Sequence, residues 1–79
     1  MKVYVAAIDY GPDASTEVIG VASTVDIAKA MALTHYHDTP WHVPQSLVWE
    51  PGGPVLPEYE WVAPAYTESL YTIAAYDVQ

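Results

Sequence analysis

The chain contains no cysteine and no arginine, and lysine occurs only as Lys2 and Lys29. Without cysteine there is no disulfide, no thiolate nucleophile and no sulfur-rich zinc site. Two cations against ten acidic residues leave a net charge of -8. Such a chain repels a phosphate backbone, which argues against direct nucleic-acid binding. No apolar run approaches the roughly 18 residues of a membrane span. The short run from Val3 to Ile8, broken at Asp9, is too brief for a secretory leader. A cytoplasmic location is the expectation that follows.

Catalytic signatures are also scarce. Ser15, Ser23, Ser46 and Ser69 all stand in turn or cap contexts, and none occupies a G-x-S-x-G elbow. Gly52-Gly53 is bracketed by Pro51 and Pro54 with no Lys-Ser or Lys-Thr after it, so it reads as a turn rather than a phosphate cradle. The expectation is a protein that is not an enzyme and needs no cofactor.

What is present is core material. Hydrophobic residues make up 52% of the 79, with seven tyrosines and three tryptophans, well above the disordered range. A chain this short buries about 60% of its unfolded surface and supports one core, so residues 1–79 are read as one domain. Val3, Tyr4, Val5 and Ile8 mark a strand over Lys2 to Asp9, and Thr16 to Ala22 resumes the strand pattern after the Tyr10-Gly11-Pro12-Asp13 turn. Ser23 is placed as the cap of a helix running to about His35, in which Ile27, Ala28, Met31 and Ala32 recur at helical spacing and Lys29 faces solvent. Three more strands are expected at Ser46 to Trp49, Glu58 to Ala63 and Leu70 to Val78, with the last beside the first. The breaker-rich stretch from Pro51 to Pro57 is expected to project from the sheet edge. The order β-β-α-β-β-β predicts an α+β domain with one helix packed on a mostly antiparallel sheet.

Met1-Lys2-Val3-Tyr4-Val5, then Val18-Ile19-Gly20-Val21 leading to Ser23 and an alanine-rich helix, then Tyr71-Thr72-Ile73 and Tyr76-Asp77-Val78, resemble small hairpin-helix-strand domains of unknown function from bacteria and phages. Leu47-Val48-Trp49 and Trp61-Val62-Ala63 are similar to strand signatures of short actinobacterial or actinophage proteins. The resemblance implies a fold and a phage or mobile-element origin. It carries over no catalytic residue, and the proline-rich insertion from Glu50 to Pro57 departs from the simpler pattern.

His35, His37, Asp38 and His42 form the one cluster with metal-ligand chemistry. Imidazole with carboxylate suits zinc or nickel, but joint ligation by His35 and His37 requires the helix to end before them. The competing reading is a helix C-terminus whose histidines favour the negative end of its dipole. Glu58 and Glu60 alternate with Tyr59 and Trp61, so a strand places both carboxylates on one face. With Glu50 they make a candidate acidic patch for a basic partner. Trp41, between Pro40 and Pro44, is the tryptophan expected to be exposed as an anchor. The candidate partner-binding set is therefore Asp38, Trp41, Glu50, Glu58 and Glu60.

Charged residues total 15% against a usual share of about 25%, so the chain is base-poor rather than acid-rich. That favours a local acidic patch over mimicry of a nucleic acid along the whole surface. The function expected is a protein-binding module of phage or mobile-element origin that inhibits a basic host protein handling nucleic acid or defence. The alternative is an accessory domain forming a homodimer through a sheet edge or an aromatic surface.

Overall fold

A computed structural model of the chain describes residues 1–11, 15–38, 47–53, 59–65 and 69–78. The two N-terminal strands, β1 (Lys2–Asp9) and β2 (Thr16–Ala22), pair antiparallel, with Tyr4 opposite Ala22 and Asp9 opposite Thr16. The turn between them begins with the Asp9 carboxylate accepting a hydrogen bond from the Gly11 amide at 2.9 Å. Gly11 has φ 120°, a conformation that glycine takes without a Cβ clash. Asp13, expected to make this kind of bond, lies outside the described residues.

The register of the hairpin shifts between Ala6 and Ala7. One extra residue is thereby accommodated in β2, which breaks strict alternation. Val18 and Val21 both turn away from the helix and are exposed, while Ile19 packs inward against both core clusters.

Helix α1 spans Val25–His37. Its cap is Thr24 rather than Ser23: the Thr24 hydroxyl accepts from the Ile27 amide at 3.2 Å, satisfying one of the otherwise unpaired first-turn donors. The helix continues through His37, two residues beyond the expected end, with His35 and His37 in its last turn near the negative end of the dipole. Ala28 and Ala32 are fully buried, but Ile27, expected on the same face, is 48% exposed. Lys29 is not simply solvated, because its ammonium sits 3.9 Å from the centre of the Trp61 ring.

The remaining strands are β3 (Glu50–Pro51), β4 (Trp61–Pro64) and β5 (Leu70–Asp77). The sheet order is β2-β1-β5-β4-β3, and every pairing is antiparallel. Among the described residues, one helix on this five-stranded sheet gives the expected α+β class, with the last strand beside the first. The third strand lies later than Ser46 to Trp49, since Leu47, Val48 and Trp49 make no ladder. The fourth begins at Trp61 rather than Glu58. Pro51, read as loop, belongs to β3 opposite Trp61. A proline is tolerated there because the outer side of an edge strand needs no ladder donor.

Strand β5 holds the centre, with Tyr71, Thr72, Ile73 and Ala74 all buried. One cluster joins Ile8, Ala32, Tyr36, Ala63 and Tyr71, and the other joins Ala6, Ala22, Ala28 and Ile73. Alanine at Ala6, Ala22, Ala28 and Ala32 on the facing surfaces lets helix and sheet approach closely. Trp49 and Trp61 are half-buried against these clusters. Among the described residues, no helix is long and apolar enough to cross a membrane.

Candidate functional site

The sheet order distributes the candidate residues rather than gathering them. Glu50 lies in β3 opposite Val62. Glu60 stands two residues before Val62; its amide donates to the Ile73 carbonyl at 2.8 Å and its carbonyl accepts from the Gly52 amide at 3.2 Å. Glu50, through its pairing with Val62, lies on the face away from α1, whereas Glu60 precedes β4 and bonds through its amide and carbonyl to neighbours on opposite sides, so strand alternation does not carry it to that face; both are exposed. Asp38 follows the last turn of α1, which packs over β1 and β2, so it lies towards the other side of the sheet. Trp41, Glu58 and His42 lie outside the described residues.

His35 and His37 do not converge. Residues two apart in a helix diverge by about 200°, and α1 runs through both His35 and His37. The condition for their joint ligation, a helix ending before them, is not met. Among the described residues no group of three His, Asp or Glu side chains could hold a metal ion.

His35 instead meets the core. Its Nδ1 is 2.8 Å from the Tyr71 hydroxyl, with the rings edge to face at 5.7 Å between centres. Tyr71 also meets Tyr36 edge to face at 6.1 Å. Burial pushes the Tyr71 phenol up to about 12, with further contributions from Tyr10, Tyr36 and Glu17. It therefore stays protonated at neutral pH. Packed against the same cluster as Tyr71, Tyr10 donates its hydroxyl to Glu17 Oε2 at 2.9 Å. Tyr10 is raised as well, by desolvation first and then by the bond and charge of Glu17.

A groove of about 460 Å³ opens between α1 and β2, lined by Ile19, Ile27, Ala30, Met31, Thr34, His35 and Asp38. The helical residues among these fall on one side of α1 at three- and four-residue spacing. Of these residues only His35 and Asp38 were candidate site residues, while Ile27 and Met31 carry the helical spacing of an expected core face. Exposed Ile27 was hidden by a periodicity that resembled a single buried face. The signal that could have marked the groove is the apolar composition of β2 at the end of the sheet.

Comparison with known proteins finds no matching family model, no matching curated protein and no matching solved structure.

Proposed function

We propose that this protein is a non-enzymatic binding module for a basic protein partner. The observation that carries this reading is that the described carboxylates have no lysine paired with them. Among the described residues, no lysine forms an ion pair with a carboxylate, and Lys29 is held over the Trp61 ring instead. Asp38, Glu50 and Glu60 stay exposed and contribute to the field of a chain whose net charge is -8. Such a field speeds encounter with a cationic surface and disfavours anionic ones. A nucleic-acid-processing or defence protein of a host cell presents a cationic surface of this kind, and a module of phage or mobile-element origin would inhibit it by occupying that surface.

The test is association with purified basic nucleic-acid-binding proteins at increasing ionic strength. Capture is expected to weaken steeply with salt and to fall when Glu50→Lys and Glu60→Lys are combined. Capture that persists unchanged in high salt overturns the electrostatic reading.

A further inference from the structure

The two ends of the sheet differ as templates for another strand. At one end, β3 has two residues, one of them Pro51, so it offers little backbone for pairing. At the other end, β2 spans seven residues, Thr16–Ala22, with no proline, no lysine and Glu17 as its sole charge. Among the described residues nothing pairs with its outer side. This edge also flanks the groove under α1, where Ile19, Ile27, Ala30 and Met31 supply apolar walls.

The charge is placed at one end. The C-terminal half of α1 packs with Ile8 and Tyr71, and the N-terminal half with Ala6 and Ala22. Since Ile8 pairs with Glu17 and Tyr4 with Ala22, α1 runs back along β2. Its last turn, carrying Asp38, comes to the Thr16–Glu17 end. An apolar groove beside an unpaired strand edge, with carboxylates at one end, defines its ligand's chemistry. Strand addition supplies main-chain hydrogen bonds, and alternate side chains of the added strand enter the groove.

We propose that β2 takes an extended segment of a partner protein as a sixth strand. The segment's alternate apolar side chains enter the α1–β2 groove, and its lysines or arginines face Asp38 and Glu17. This rests on the reading of the chain as a module for basic proteins and names the surface used. A second copy fits less well, because it would bring a second charge of -8 to the same edge.

The experiment is a chemical-shift titration of the labelled full chain with a blocked peptide of alternating valine and threonine ending in two arginines. A counterpart ending in two glutamates is run alongside. Shifts are expected at Thr16–Ala22 and at groove-lining residues of α1 with the cationic peptide, and binding about tenfold weaker or absent with the anionic one. Ala30→Arg, at an exposed helical position, should abolish these shifts while the circular dichroism spectrum is retained. Asp38→Asn should weaken them. Shifts confined to Glu50 and Glu60 would overturn the groove proposal while leaving the module reading intact. Equal binding of the anionic peptide would overturn the charge assignment. Concentration-dependent shifts at β2 without peptide, accompanied by a dimer in sedimentation, would replace the partner segment with a second copy. No shift with either peptide would also overturn the groove proposal, and the salt-dependent capture described above would decide separately whether the module reading stands.

Discussion

Replacing Tyr71 with phenylalanine isolates one polar contact inside the core. The ring remains, and with it the edge-to-face packing on Tyr36 and His35. What goes is the 2.8 Å bond to His35 Nδ1. A hydrogen bond of this type contributes about 0.5–1.5 kcal/mol net. Since His35 is only half-buried and can turn to water, we expect a loss of about 1 kcal/mol for Tyr71→Phe at neutral pH. For a domain of this size that is a fall of about 4–8 °C in Tm.

The same variant has a pH signature. An unfolded tyrosine ionises near pH 10, and Tyr71 in the native state ionises at about 12. Below pH 10 both states hold the proton, and the Tyr71 contribution is fully present. Between these values the unfolded chain loses the proton first, so wild-type stability falls as pH rises. The gap between wild type and Tyr71→Phe should therefore narrow above pH 10. Thermal melts at stepped pH, with tyrosinate absorbance at 295 nm, measure both effects. The wild type should show a late-ionising phenol that the variant lacks. Equal melting at neutral pH, together with a gap that does not change across the alkaline range, would refute this account of the pair.

Other positions give simpler outcomes. Thr24→Ala removes the acceptor for the Ile27 amide and should cost about 1 kcal/mol, read from urea midpoints with an unchanged m-value. Lys29→Gln removes the cation over Trp61; a loss of about 0.5–1 kcal/mol is expected, with a change in tryptophan emission, and an unaltered spectrum would count against the contact. Thr72 is 2% exposed, and its hydroxyl makes no hydrogen bond among the described residues. Thr72→Val should therefore stabilise the fold by about 1 kcal/mol, and destabilisation would show that the hydroxyl has a partner.

The hairpin, the helix and the closing strand were legible because each carries its own periodicity and a nearby turn or cap signal. Lys2–Asp9 and Thr16–Ala22 needed no tertiary information to be placed, and the strand expected over Leu70 to Val78 ends one residue earlier, at Asp77. The short strands were less so, since a two-residue β3 exists only through its pairing with β4. Composition disfavours Pro51 there, and an edge position permits it. Thr24 displaced Ser23 as cap by one residue, a choice between adjacent hydroxyls that local sequence does not separate. At the candidate sites, Asp38, Glu50 and Glu60 were recognisable as exposed acids, but their separation across the sheet depends on strand order. The groove was least legible. The register shift at Ala6 and Ala7 turns Ile19 inward and leaves Val18 and Val21 outside, against simple alternation. No local pattern identifies β2 as the outer strand.

The most direct test of β2 as a binding edge is amide hydrogen exchange along Thr16–Ala22, with and without the arginine-ended peptide. Alternate β2 amides, those directed away from β1, should be unprotected in the free protein and should slow markedly on binding. The amides already bonded to β1 should change little. If the outer amides exchange at the same rate at a peptide concentration that saturates the shift titration, no sixth strand is formed and β2 is not the binding edge.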